Sequence, residues 1–295
     1  MDLKLLLSSE AQSNPQDNLK EVFQEMKKFM SVLAVALMVM AMTGMALAGE
    51  VVIKGSTTVL PIAQAAAEKF MEANPDIKLT VSGGGSGNGI KAIIDGTTDV
   101  ADASRFIKDS EIKAAFEKGV YPVPFAVAMD ALLPVVHPSN PVSDLSLEQL
   151  RKIYMGEIKN WQDVGGPSMP IAVVGRDTSS GTYETWEEKV MNKERVTERA
   201  LIVASNGAMV QTVAQNKLAI GYIGLGYLHD SVKALKAEGI MGSNETALNG
   251  EYPVSRYLFM FTNGWPAGDT GKFITFVMSK AGQEIVAETG YVPMH

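Results

Sequence analysis

The 295-residue chain contains no cysteine, three histidines and 7% aromatic residues. Without cysteine there is no disulfide, no thiolate metal site and no lipid-modified N-terminal cysteine. Histidine is nearly as scarce: His137 sits in a His-Pro-Ser-Asn-Pro turn, His229 at an expected helix start, and His295 at the terminus. No two of them are spaced to share a metal, and no carboxylate cluster replaces them, so neither a metal nor a cofactor is expected. The serine-nucleophile motif G-x-S-x-G is absent. Positive charge is also in deficit, with 26 Lys and Arg against 33 Asp and Glu and a formal charge of −7. Removing residues 1–48, with four lysines and five carboxylates, leaves −6. An acidic chain is a poor partner for nucleic acid or an anionic membrane surface. It can still hold a buried anion, which feels local donors far more than screened surface charge.

What is present begins with a leader. Met26-Lys27-Lys28 opens a basic stretch, an apolar run covers 29–47, and Ala46-Leu47-Ala48 is a small-residue cleavage pattern. Together these read as a secretory signal peptide over 26–48, cleaved before Gly49, with an uncleaved anchor as the competing reading. Residues 1–25 are polar and aperiodic, and are expected to be an overlong start or a non-native extension. About 247 residues then remain, enough for one large domain or two modest ones.

Three segments carry most of the chemistry. Arg176-Asp177-Thr178-Ser179-Ser180-Gly181-Thr182 sets one fixed cation, several hydroxyls and a glycine ahead of a helical pattern. Helix N-termini present unpaired N–H groups, Ser or Thr caps them, and the planar guanidinium suits a tetrahedral oxyanion. Gly55-Ser56-Thr57-Thr58-Val59-Leu60-Pro61 follows a strand pattern and ends on a proline that favours helix entry. Ser82-Gly83-Gly84-Gly85-Ser86-Gly87-Asn88-Gly89 follows another strand and precedes Ile90, Ile93 and Ile94 at helical spacing. The glycine loop is not a nucleotide P-loop, because Ile90 stands where the lysine is required; G-x-G-x-x-G fails at Asn88. Three donor-rich strand-to-helix turns suit one small oxyanion.

Strand patterns at 50–54, 77–82, 98–103, 121–136 in two pieces, 170–175, 201–205, 219–223 and 254–261 alternate with helices. The helices are expected at 61–73, 88–95, 109–118, 146–154, 181–193, 207–216, 230–238, 267–279 and 280–288. Such alternation predicts a mainly parallel α/β sheet with ligands at the carboxyl ends of its strands.

The order GSTTVLPI, SGGGSGNGIKAI, TTDVADASR, LSLEQLRKIYMGEIKNWQDVGG, VVGRDTSSGTYE and NGAMVQTVAQNKLAIGYIG, from about Glu50 to the C-terminus, resembles the periplasmic phosphate-binding proteins of high-affinity phosphate ABC transporters. The resemblance implies a two-lobed α/β fold of the type II periplasmic binding protein class, each lobe a mainly parallel sheet flanked by helices, with the ligand in the interlobe cleft. Lobe one would be 49–127 plus 250–295, lobe two 128–249. It implies a monomeric periplasmic receptor, not an enzyme, that captures inorganic phosphate for the membrane permease subunits of an ABC importer. Other oxyanions such as sulfate or molybdate are an alternative; a phosphoesterase or serine hydrolase is a weaker one. Carried over by position, the ligand contacts fall on Thr57, Thr58, Val59, Ser86, Ser104, Arg176, Ser179 or Ser180, Gly181 and Thr182. Ile158 to Trp161, with Tyr154, would be core packing of lobe two.

One position departs from the best-known branch of that family, where an aspartate that accepts the proton of hydrogen phosphate stands in place of Ser104. Here Arg105 follows the serine, as in a second branch with a Ser-Arg pair. Sulfate carries no proton at neutral pH, so a buried carboxylate facing it is an unpaired like charge. The acceptor must then be sought elsewhere, with Asp130, Asp102 and Asp177 as candidates. Asp130 is favoured for its place at the lobe crossing, yet it could equally hold Arg105 or Arg176 in position.

Overall fold

A computed structural model describes residues 49–295, together with Gln24, Met26, Lys27, Phe29 and Met30, which are helical and exposed. Apart from these five residues, the expected start 1–25 and signal peptide 26–48 lie outside the described residues. No helix among the described residues is long and apolar enough to cross a membrane.

Residues 49–295 form a compact unit whose main sheet has the order β2-β1-β3-β11-β4-β8-β6-β7, with β9 pairing β4. The first lobe is built on parallel strands β1 (Glu50–Gly55), β2 (Lys78–Gly83) and β3 (Val100–Ala103). Helices α1 (Leu60–Ala73), α2 (Ser86–Ile94) and α3 (Asp109–Glu117) follow these strands. The second lobe repeats the plan with parallel β6 (Ala172–Arg176), β7 (Leu201–Val203) and β8 (Ala219–Gly224), and helices α4 (Leu147–Met155), α5 (Gly181–Lys189) and α6 (Asn206–Gln215).

Between them run two antiparallel strands, β4 (Pro122–Val136) and β11 (Ser255–Asn263). β4 is one unbroken strand where the sequence suggests two pieces. It pairs with β11 up to Ala131 and with β8 from Leu132 onward, so it threads both lobes. Its side chains divide accordingly. Val127 and Ala128 enter the core of α1, α8 (Gly268–Val277) and α9 (Lys280–Glu288), whereas Ala131 to Val136 enter the core holding Tyr154, Trp161, Trp186 and Tyr222. Trp161 is fully buried and donates Nε1–H to the Leu218 carbonyl at 3.1 Å, which makes it a packing residue of the second lobe.

The helix expected over 230–238 is not formed. Two short strands replace it, β9 (Lys233–Ala234) against β4 and β10 (Lys236–Ala237) against β5 (Asp144–Leu145). Val232 and Leu235 are spaced as on a helix face, but the Leu235 N–H is taken by the Pro134 carbonyl at 2.9 Å, and tertiary pairing overrides the local pattern. A five-residue helix α7 (Asn244–Leu248) precedes the return into β11.

Candidate functional site

The site is assembled where strands end and helices begin. β1 runs into α1 through Ser56, whose Oγ accepts from the Thr58 and Val59 N–H groups at 3.1 and 3.4 Å. Val59 is therefore spent locally, its side chain in the core. β2 leads to α2 through Gly85, at φ 105°, a conformation that favours glycine; a Cβ there would stand 2.6 Å from Ser179 Oγ. β6 ends at Arg176 and α5 begins at Gly181 under a Ser180 cap, whose Oγ accepts from Tyr183 N–H at 3.2 Å. β7 leads to α6, capped by Ser205. Four helix N-termini, two from each lobe, are thus gathered at the lobe junction, with their unpaired N–H groups and positive dipole ends.

Across this junction the lobes touch through polar atoms. Thr58 Oγ1 lies 2.9 Å from Thr182 Oγ1, and Arg176 Nη2 donates to Thr57 Oγ1 at 3.4 Å. Ser86 Oγ accepts from Ser104 N–H at 2.9 Å and lies 3.3 Å from Ser104 Oγ. Gly181 packs directly against this pair: a Cβ on it would lie 2.3 Å from Ser86 Oγ and 2.7 Å from Ser104 Oγ. Ser179 closes the adjoining edge, its carbonyl accepting from Gly87 N–H at 2.9 Å. The Ser179 hydroxyl is committed to the Asp177 carboxylate. The sequence offers Ser179 and Ser180 equally, and both sit at the junction, with Ser180 the more deeply buried.

Arg176 is 2% exposed and has no carboxylate within ion-pair distance among the described residues. Nε donates to the Val203 carbonyl and Nη2 to the Ala204 carbonyl, each at 3.0 Å, while the buried Nη1 has no partner. Desolvation pushes its pKa below the usual arginine value. Its backbone N–H is held by Tyr222 Oη at 3.2 Å, and that ring stacks on Trp186 with centroids 4.4 Å apart. An aromatic wall therefore holds in place a cation that no carboxylate among the described residues meets within ion-pair distance, with Asp177 acting on it only from further away.

Arg105 is not brought into the cluster. Its guanidinium stands at the rim in a carboxylate fork, bonded to Glu111 at 2.8 and 2.7 Å and paired with Glu184 of α5, which Lys108 also reaches at 3.0 Å. Asp130 is fully buried but does not hold Arg105 or Arg176. It holds Arg256, whose Nε and Nη2 donate to Oδ2 at 3.0 and 2.8 Å; Oδ1 accepts from Leu225 N–H at 2.8 Å. Burial raises the Asp130 pKa above its ordinary value against the opposing pull of Arg256. Asp102 is fully buried with neither carboxyl oxygen hydrogen-bonded, and desolvation drives its pKa well above the carboxylate range.

Two residues of the cluster were not anticipated. Arg256 reaches past Asp130 to Thr58 and Thr182 Oγ1 at 3.2 and 3.1 Å and to the Gly181 carbonyl at 3.1 Å. Asn206, at the start of α6, donates Nδ2–H to Thr57 and Thr58 Oγ1 at 3.2 and 3.0 Å. The available signal was an arginine at an inward position of an alternating strand, between Val254 and Leu258, and a Ser-Asn-Gly helix start.

The chain matches the PBP superfamily domain over residues 41–281. It is 34% identical over 251 residues to the phosphate-binding protein PstS of Bacillus subtilis, covering 83% of this chain and 81% of that protein. It is 34% identical to the SphX protein of Synechococcus elongatus over 257 residues, 81% of this chain and 76% of that protein. Among solved structures, a substrate-binding protein from Clostridium perfringens with bound phosphate superposes with a TM-score of 0.79 at 36% identity, covering 84% of this chain and all of that one. On this shared architecture and sequence, the chain belongs to the PBP superfamily and, within it, to the family of the PstS phosphate-binding proteins.

Proposed function

We propose that this protein is an extracytoplasmic receptor that captures inorganic phosphate between its lobes and delivers it to an ABC importer. The observation that carries the reading is Arg176, a buried guanidinium with no carboxylate partner and an unpartnered Nη1. An unpaired buried charge costs several kcal/mol, and a bound anion removes that cost. Thr57, Thr58, Ser86, Ser104, Ser180, Gly181 and Thr182 stand around it as neutral donors from both lobes, and the helix N-termini add N–H groups. Ser179 and Arg105 hold the edge and rim, Asp130 acts through Arg256, and Val59 contributes its backbone turn. Charge-assisted hydrogen bonds are worth ~1.5–3 kcal/mol each, so a handful exceeds the ~8 kcal/mol of micromolar binding and leaves a margin for lobe closure.

The lobes are assigned as 49–127 with 250–295, and 128–249, a division supported to within a few residues by the cores, since Ala128 packs in the first and Ala131 in the second, and Val254 in the second and Leu258 in the first. Delivery to permease subunits, action as a monomer in the periplasm after signal-peptide removal, and the absence of nucleic-acid binding belong to the same reading. An esterase is disfavoured because the hydrogen bonds of His137 and His229 stay local, to Ser139 and Ser231, leaving Ser179 and Ser180 without a histidine base. Incubation with inorganic phosphate and with a chromogenic phosphate ester separates the two. One-to-one phosphate binding without ester turnover is expected; turnover without tight phosphate binding would overturn the assignment.

A further inference from the structure

Hydroxyl groups can face a ligand as donors or as acceptors, and in this cluster the protein's own bonds decide which. Each hydroxyl oxygen has two lone pairs and one proton. Thr58 Oγ1 receives Asn206 Nδ2–H at 3.0 Å and Arg256 Nη2–H at 3.2 Å, which fills both lone pairs. Its proton must then go to Thr182 Oγ1, 2.9 Å away. One Nη2 hydrogen of Arg256 is on Asp130 and the other is shared between Thr58 and Thr182 Oγ1, at 3.2 and 3.1 Å, so Thr182 Oγ1, which also takes the Thr58 proton, is filled too and its own proton has no acceptor among the described residues. Thr57 Oγ1 is filled in the same way by Asn206 Nδ2–H and Arg176 Nη2–H. The amide orientation of Asn206 is fixed on its other side, where Oδ1 accepts from Gly224 N–H at 3.3 Å. Arg256 is anchored for this task by Asp130, its register partner across β4 and β11.

We propose that Arg256 and Asn206 are specificity-setting positioning residues: they fill the lone pairs of Thr57, Thr58 and Thr182, so that Thr57 and Thr182 meet the ligand only as donors and the proton of hydrogen phosphate is accepted at the Ser86–Ser104 hydroxyl pair. Ser86 Oγ takes one bond from Ser104 N–H and shares one with Ser104 Oγ, which leaves Ser104 Oγ a lone pair to offer. No carboxylate is bonded to these hydroxyls to do this instead: Asp130 is occupied by Arg256 and Leu225, Asp177 by Ser179, and neither oxygen of the buried Asp102 bonds any of them. The selectivity for a protonated tetrahedral oxyanion over sulfate would thus be read by a neutral hydroxyl.

This inference rests on the phosphate-receptor reading, and calorimetric titration with phosphate and sulfate at one neutral pH tests the two separately. If the wild-type protein binds neither anion, the receptor reading fails. If it binds, Ser104→Ala is expected to weaken phosphate about tenfold while sulfate stays within threefold. Thr182→Val should weaken both anions by similar factors, leaving their ratio unchanged. In Arg256→Lys the ammonium can stay on Asp130 but cannot also span the two threonines, so Thr182 regains a lone pair. Combined with Ser104→Ala it should restore the phosphate-to-sulfate ratio to within about threefold of wild type. The near-isosteric Thr58→Val opens the same lone pair and serves if the lysine variant does not fold. Equal loss of both anions in Ser104→Ala, or no recovery of the ratio in either combination, would overturn the proposal; a merely structural Arg256 predicts no recovery.

Discussion

Replacing Gly181 by alanine should separate ligand capture from folding. Gly181 has no positive φ, so the backbone accepts alanine, and the first position of a helix favours it by up to ~1 kcal/mol. The added methyl would stand 2.3 Å from Ser86 Oγ, 2.7 Å from Ser104 Oγ and 2.9 Å from Ser86 Cβ, all atoms of the opposite lobe. Turning Ser86 away relieves only part of this, because its Oγ holds Ser104 N–H and its Cβ stays in contact. The lobes must therefore part by about 1 Å at the point where they meet the anion. If two charge-assisted hydrogen bonds at ~1.5–3 kcal/mol each are lost, binding weakens by ~3–6 kcal/mol, or about 10² to 10⁴-fold. Calorimetry with phosphate measures this, and thermal unfolding without ligand provides the control, which should be unchanged or slightly raised. An affinity within threefold of wild type would refute the close approach as a requirement for capture.

Asp102→Asn should stabilise the ligand-free protein more at pH 7 than at pH 4. The folded-state pKa is raised, so below the ordinary carboxylate range both states are protonated; as pH rises above it, only the unfolded chain ionises and wild-type stability falls by up to about 1.4 kcal/mol per unit. Equal melting shifts at the two pH values, read by scanning calorimetry, would contradict this. Glu184→Gln removes the ion pair that joins the lobes at the rim, where it meets Arg105 and Lys108. Partial exposure and screening limit the effect to about 1 kcal/mol, seen as roughly fivefold faster phosphate release in stopped-flow, with no change expected if the rim pair holds nothing shut. Saturating phosphate should also reduce the radius of gyration in solution scattering, and identical curves would indicate a rigid preformed pocket.

Much of this site was legible because its pieces are local. A strand, a Ser/Thr/Gly turn and a helix start are contiguous in sequence, so Thr57, Ser86 and Ser180 to Thr182 could be read as donors before their convergence was seen. Arg176 was legible as the only cation in such a turn. What could not be read was which distant group completes each bond. Asp130 and Arg256 are 126 residues apart and meet only because β4 and β11 pair in one register. Arg105 follows Ser104 directly in the chain, yet its guanidinium is paired with Glu111 in the first turn of α3 and with Glu184 from the other lobe, partners that the local sequence does not announce. The missed β9–β10 segment has the same cause: Val232 and Leu235 satisfy a helical spacing, and only the edge of β4 decides otherwise.

The central claim is that the uncompensated charge of Arg176 is the reason an anion is held between the lobes. Calorimetric titration of wild type and Arg176→Ala with phosphate tests it most directly. The wild type should bind one phosphate at micromolar affinity or tighter, and the variant, still folded by circular dichroism, should show no measurable binding. A folded variant that binds phosphate within threefold of wild type would contradict the account.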